Sequence, residues 1–251
     1  MSEAPRAIRR ALVTGASGAL GEAIAERLGR DGVHVVAHAN GRIDAARAVA
    51  ARIAAAGGSA EAIAFDVTDA DAARAACERL LEGGPIQVVV NNAGVHDDAV
   101  FPGMRAEQWH RVIDVSLHGF FNVTQPLVLP MVRTRWGRIV NVSSVGGLRG
   151  GPMLVHYAAA KAGVVGFTKS LAVDLGPKGI TVNAVAPGLV DTPMLRASGL
   201  SESVKAAAIA QMPIRRLGTP DDVAAACLFL VSEAAGWFTG QVVSPNGGGH
   251  L

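Results

Sequence analysis

The chain holds a single tyrosine, in the stretch HYAAAK, and a lysine four positions on: Tyr157 and Lys161. On a helix, residues at i and i+4 share a face, so the phenol and the ammonium would meet. A free phenol titrates near pH ~10. An adjacent cation favours the phenolate and makes the group a better acid near neutrality. The pair is therefore suited to delivering a proton to a substrate oxygen. Two hydroxyls, Ser143 and Ser144, stand shortly before it. Along a strand they point to opposite faces, so one can face a ligand while the other bonds to backbone.

A second polar interruption lies in IDVSLHGFF, residues 113–121, where Ser116 and His118 break an apolar run. Buried polar groups must find partners or do chemistry. A serine nucleophile with His118 as its base is a poor reading, because residues two apart on a helix do not face each other. His118 reads as a packing or interface residue. The remaining histidines, His34, His96, His110 and His156 among them, are scattered without metal-ligand spacing. Asp97 and Asp98 read as loop solvation or a helix cap rather than a carboxylate dyad. No catalytic metal is expected.

A third feature is TGASGALG, residues 14–21. Gly15, Gly18 and Gly21 allow a tight turn and close backbone approach. The N–H groups and the dipole of the helix that follows favour a phosphate there. Further on, AHANGR offers His38, Asn40, Gly41 and Arg42 and no carboxylate. A site selective for NAD commonly has an acid there for the ribose 2′-hydroxyl. A guanidinium instead suits a 2′-phosphate, so NADPH is expected.

These groups need elements to position them. RALVTG, HVVAHA, EAIAFDV, IQVVVNNAG, GRIVNVSS, GITVNAVAPG and GQVVSPNGG read as strands, and Ala-rich amphipathic stretches between them read as helices. One long helix is expected from about Ala106 to Thr134, and another over roughly 153–176. Strands separated by helices imply crossovers and a parallel sheet. The expected fold is α/β: one doubly wound Rossmann domain over 1–251, with about seven strands and helices on both faces. Residues 188–215 read as irregular or partly helical.

The TGxxxGxG spacing, with Ala19 at its middle glycine position, resembles the short-chain dehydrogenase/reductase family. So do NNAG at 91–94, the SS before YAAAK, and APGLVDTPM. The likeness runs from ALVTGASG to NGGG and is strongest to bacterial 3-oxoacyl-[acyl-carrier-protein] reductases, through stretches such as PIRRLGTPDDVA and FTGQVVSPNGG. That resemblance implies hydride transfer from NADPH to the 3-oxo group of an acyl thioester, in fatty-acid or related polyene or polyketide synthesis. It implies that Tyr157 supplies the proton, Lys161 lowers its pKa and binds ribose, and Ser144 polarises the carbonyl. It places Gly15, Ser17, Gly18, Ala19, Leu20, Gly21, Asn40, Gly41, Arg42, Asp66, Val67, Asn92, Ala93, Gly94, Pro187, Gly188, Val190 and Thr192 around the cofactor. Residues 188–215 become a substrate lid. In the family the long helix carries an asparagine in an N-L dipeptide, a fourth catalytic member whose backbone carbonyl helps hold a water linked to the lysine. Here the dipeptide is Ser116-Leu117. A serine bonding back to its own helix can bend it and so replace part of that function.

The family expectation is a homotetramer. Arg135 and Lys178 stand where similar reductases carry basic residues and are expected to meet an acidic acyl carrier protein, with Arg133 and Arg138 nearby. Related reductases act on other ketones, sugars or CoA esters, and a non-catalytic nucleotide-binding scaffold is the reading from another class. Composition narrows the field further. Half of the 251 residues are hydrophobic and the formal charge is +2, which gives no general argument for a nucleic-acid or membrane-surface partner, and none is expected. Cys77 and Cys227 are the only cysteines, too few for a disulfide framework. The basic N-terminus breaks at glycine too early for a signal peptide, and a cytoplasmic enzyme is expected.

Overall fold

Burial of whole strands is the clearest mark of the architecture. β4 (Val88–Asn91), β5 (Gly137–Val142) and β6 (Ile180–Val185) are buried at every position. A strand reads this way only when helices cover both faces of its sheet. The computed structural model describes residues 9–199 and 201–251. In it these strands join β1 (Arg10–Val13), β2 (His34–Ala39), β3 (Ser59–Ala64) and β7 (Val242–Val243) in a seven-stranded sheet ordered β3-β2-β1-β4-β5-β6-β7. Every pairing is parallel. The edge strand β3 alternates exposed and half-buried residues over Ser59, Ala60, Glu61 and Ala62 and is half-buried through Ile63 and Ala64.

Two apolar clusters hold the layers together. On one face, α1 (Ala19–Arg30), α2 (Ile43–Ala55) and α10 (Pro220–Val231) bury Leu28, Ile53 and Leu230 against Val13, Val35 and Val140. On the other, α3 (Ala70–Glu82), α5 (Gly119–Thr134) and α7 (Val155–Leu175) bury Cys77, Leu127 and Leu175 against Leu12, Val89 and Val182. Both cysteines are free and buried, and burial pushes each thiol up to about 12, so neither serves as a nucleophile. Caps set the helix starts: Asp69 accepts from the Asp71 and Ala72 N–H groups, and Thr219 forms a capping box with Asp222 ahead of Pro220.

The expected single helix from Ala106 to Thr134 is three segments. α4 (Ala106–Ile113) leads into a π-helical turn over Asp114–His118, and α5 follows. A short α6 (Val145–Arg149) follows β5. The stretch read as irregular contains α8 (Pro193–Ala197) and α9 (Glu202–Gln211). No described helix is long and apolar enough to cross a membrane.

Candidate active site

The sheet order reverses between β1 and β4, and the crevice beyond their C-terminal ends is where such sheets bind ligands. The glycine turn forms one wall. Gly15 has a φ of +64°, and a Cβ there would lie 3.0 Å from the Ala93 Cα; at Gly21 it would lie 2.3 Å from the Gly15 carbonyl oxygen. Only glycine fits either place, so the turn lies flat against the end of β4. Gly18 caps α1 without a side chain, and Ser17 and Ala19 sit half-buried beside it. Leu20 packs onto the core. The backbone N–H groups at the helix start are thus free of side-chain cover, which fits the phosphates of a dinucleotide.

Thr14 ties the two walls together, a role that residue types alone did not suggest. Its hydroxyl accepts from the Asn92 and Ala93 N–H groups at 2.9 and 3.0 Å. The Asn92 amide returns to the Thr14 and Gly15 carbonyls. Beneath, Asn91 joins Thr124 and Asn141 in a buried polar chain that continues to Thr168. Asn40, Gly41 and Arg42 form an exposed bend after β2. Asp66 is half-buried and accepts from the Thr68 N–H and hydroxyl, while the Val67 carbonyl accepts from Asn122. Pro187 and Gly188 follow β6. The Pro187 carbonyl accepts from the Val145 N–H, and a Cβ on Gly188 would lie 2.8 Å from Asn246. Val190 is buried, and Thr192 caps α8 by accepting from the Leu195 N–H.

Across the crevice, the two serines diverge as strand geometry requires. The buried Ser143 hydroxyl donates to the Lys161 carbonyl at 2.8 Å. Ser144 opens α6, accepting from the Gly146 N–H at 3.0 Å, and shares a hydrogen bond with Tyr157. Tyr157 stands in the first turn of α7 and Lys161 one turn later. The ammonium is 3% exposed and donates to the Val142 carbonyl at 2.8 Å. It lies 5.8 Å from the Tyr157 ring centroid.

Burial pushes the Tyr157 phenol up, and the Ser144 hydrogen bond opposes this. Lys161 donates to the Val142 carbonyl, and burial pushes its ammonium down to about 8. Ser116 departs from expectation. Its hydroxyl is completely buried and has no hydrogen-bond partner, so it does not bond back to its helix. The π-helical turn exists without that bond. A Cβ on Gly94 would lie 3.4 Å from the Lys161 Nζ and 3.6 Å from the Ser116 Oγ, which puts both groups around one glycine.

Other readings change with the tertiary contacts. His118 is a surface residue paired with Asp114 at 2.8 Å. Asp97 is half-buried and bonded to Gln108, and its carbonyl meets the buried His156 at 2.6 Å. His96 approaches Asp98 at 3.1 Å and lies edge-on to the Tyr157 ring at 5.4 Å, a neighbour that spacing did not reveal. Arg138 leaves the expected basic patch: it is 4% exposed, stacked on Trp136 and paired with Glu233. Arg133, Arg135 and Lys178 remain exposed. Arg135 and Lys178 precede β5 and β6, however, whereas Ser144 and Tyr157 follow β5. At about 3.3 Å per strand residue, the patch and the cluster are separated by roughly 20 Å of sheet.

A doubly wound sheet with a phosphate-fitting turn at its switch point, facing a Ser-Tyr-Lys cluster, defines a dinucleotide-dependent oxidoreductase. A family model described as enoyl-(acyl carrier protein) reductase matches residues 15–250. The 3-oxoacyl-[acyl-carrier-protein] reductase FabG of Aggregatibacter actinomycetemcomitans is 43% identical over 240 residues, covering 94% of this chain and 97% of that one. The acetoacetyl-CoA reductase of Shinella zoogloeoides is 42% identical over 244 residues, covering 96% and 98%. The crystal structure of 3-oxoacyl-[acyl-carrier protein] reductase from Brucella melitensis superposes with a TM-score of 0.90 at 38% identity, covering 96% of this chain and 90% of that one. The chain belongs to the short-chain dehydrogenase/reductase family and is an oxidoreductase using a nicotinamide cofactor.

Proposed function

We propose that the chain reduces the 3-oxo group of an acyl thioester to the 3-hydroxy product with NADPH, the acyl group being carried on acyl carrier protein. The placement of Ser144, Tyr157 and Lys161 together at the switch-point crevice carries this reading. The turn from Gly15 to Gly21, with Asn92, Ala93 and Gly94, would hold the dinucleotide. Asp66 and Val67 would border its adenine side, and Pro187, Gly188, Val190 and Thr192 its nicotinamide side. Bound there, NADPH supplies the hydride. Ser144 donates a hydrogen bond to the substrate carbonyl and polarises it. Tyr157 gives its hydroxyl proton to the oxygen that becomes the alcohol, and Lys161 offsets the charge left on the phenolate. The exposed Asn40–Gly41–Arg42 bend supports NADPH over NADH, because no carboxylate stands there to repel a 2′-phosphate.

Residues 188–215 would act as the lid, excluding water when substrate is bound. A small cavity beneath them is lined by Val145, Arg149, Leu189, Gln211, Met212 and Asn246. If Arg135 and Lys178 receive the carrier, their place at the N-terminal ends of β5 and β6 suits service to the active site of a neighbouring copy. A homotetramer suits this arrangement, and exposed Phe121 and Leu129 on α5 and Val173 on α7 offer helix faces for it. A cytoplasmic place of action within fatty-acid or polyene synthesis fits the same reading. The CoA-ester alternative is favoured by the acetoacetyl-CoA reductase relative.

The test is cofactor oxidation followed spectroscopically with acetoacetyl groups on acyl carrier protein and on CoA, using NADPH and NADH. Wild type is expected to prefer NADPH and the carrier-bound substrate. Tyr157→Phe is expected to lose about 10²–10⁴-fold in kcat, the usual worth of a general acid. Cofactor binding without turnover on any thioester would instead indicate a scaffold.

A further inference from the structure

His38 lies near the end of β2, two residues before the exposed bend at Asn40. Its side chain is 1% exposed and packs against the Phe65 ring, with centroids 4.2 Å apart. Both ring nitrogens are engaged. Nε2 donates to the Phe65 carbonyl at 2.9 Å, and Nδ1 accepts from the Gly15 N–H at 3.2 Å. The His38 carbonyl also accepts from the Ala16 N–H at 2.8 Å. A donor bond at Nε2 and an acceptor bond at Nδ1 define the neutral Nε2–H tautomer. The protonated ring carries an N–H at both places and cannot accept from Gly15.

The Gly15 residue is held from the other side as well. Its carbonyl accepts from the Gly18 N–H at 3.0 Å and from the Asn92 amide at 3.2 Å. The left-handed start of the turn is therefore fixed by fixed amides on one side and by a titratable ring on the other.

We propose that His38 is a positioning residue of the dinucleotide site: its neutral imidazole holds Gly15 in the turn, and protonation of Nδ1 releases that hold and weakens dinucleotide binding. The inference rests on the reading of this turn as the cofactor site. Few charges face the ring. Turn residues 14–18 and the β4 end, 88–94, carry no ionisable side chain. Beyond β3, Asp66 favours the imidazolium, as does the Phe65 carbonyl, but burial outweighs both and holds the pKa below the ordinary histidine value. A folded pKa below the unfolded one means that His38 contributes stability above the unfolded value and loses it as pH falls through the folded one. Affinity for the dinucleotide should follow the same acid limb.

The test measures NADPH and NADH dissociation constants by fluorescence titration between about pH 7.5 and about pH 5, for wild type and His38→Asn. Asparagine places a carbonyl oxygen near the Nδ1 position and does not titrate in this range. The ratio of wild-type to variant Kd cancels the titration of the 2′-phosphate itself. It is expected to rise about fivefold or more on acidification. A ratio constant within about twofold would overturn the inference. Wild type binding neither dinucleotide at neutral pH is a different result, and defeats the cofactor reading itself. Should the variant not fold, wild type alone decides through the imidazole nitrogen shifts of His38. Dinucleotide binding must lower its titration midpoint, because linkage is reciprocal. An unmoved midpoint defeats the proposal.

Discussion

Tyr157 and Lys161 work against their own burial. Burial pushes the phenol up and the ammonium down to about 8. Between about 8 and its ordinary value, Lys161 is neutral in the folded chain and charged in the unfolded one. For this group the unfolded state then binds more protons, so its own contribution to stability rises with pH across that window, while the two buried thiols, pushed up to about 12, oppose it once the unfolded chain begins to lose their protons. On the proposed mechanism the cation offsets the phenolate, so turnover is expected to fall as pH rises through about 8. The pH dependence of kcat/KM checks the activity limb, and the difference in urea midpoint between wild type and Lys161→Met across the same range isolates the stability contribution of Lys161 from that of the thiols. Lys161→Met should abolish turnover and remove this part of the stability slope. Ser116 makes a related prediction. Its buried hydroxyl has no partner, and leaving such a group unsatisfied costs about 1–3 kcal/mol. Ser116→Ala should leave the melting temperature unchanged or raised. If the hydroxyl holds a water beside Lys161, turnover should nonetheless fall about tenfold. Unchanged turnover would leave only the backbone of this turn with a role.

At the scale of elements, the π-helical turn over Asp114–His118 is the main addition to the sequence reading. Single π turns inside α-helices recur at functional sites because they re-aim a few side chains without ending the helix. No residue in DVSLH forces this locally: there is no proline or glycine in it, and the serine does not bond back. Packing against α7, where Leu117 lies beside Gly163, is the contact that accompanies it. The glycine turn is the opposite case, because its local chemistry was legible. Gly21→Ala would place a methyl 2.3 Å from the Gly15 carbonyl oxygen. It should cost about 1–3 kcal/mol of stability, as overpacking does, and should weaken dinucleotide binding by more than tenfold. Denaturant unfolding and cofactor titration read the two losses separately, and a variant with wild-type affinity would contradict the tightness of the turn.

For the whole molecule, the separation of the basic pair from the Ser-Tyr-Lys cluster matters most. Arg135 ends α5 with a φ of 51° and Lys178 lies in the turn after α7, both at the N-terminal edge of the strands. Reversing both charges should raise KM for the carrier-bound substrate several-fold and leave a CoA thioester unaffected. If the patch serves a neighbouring copy, mixed oligomers make a sharper check. Subunits carrying Tyr157→Phe and subunits carrying the reversed charges should complement each other, as they could not within one chain. Equal loss on both substrates would place the pair in structural maintenance.

The sequence by itself determined the sheet and the chemistry types. Continuous apolar runs such as VVV at 88–90 demand a doubly covered strand, and the glycines at 15 and 21 demand a close turn. Tyr157 and Lys161 were legible as a pair because helical periodicity puts them on one face, whereas Ser144 rather than Ser143 was singled out by the family resemblance. What only the tertiary structure decided was where charges and donors end up. Arg138 reads as a surface cation but is drawn inward by Trp136 and Glu233. Lys161, read as the partner of a phenol, also donates to the Val142 carbonyl. His38 reads as a residue near a ribose site, yet it becomes the hold on Gly15 because β1, β2 and β3 meet around it. Periodicity is a property of neighbours along the chain, whereas burial and hydrogen-bond partners come from segments far apart in it, and those set the protonation states on which the chemistry depends.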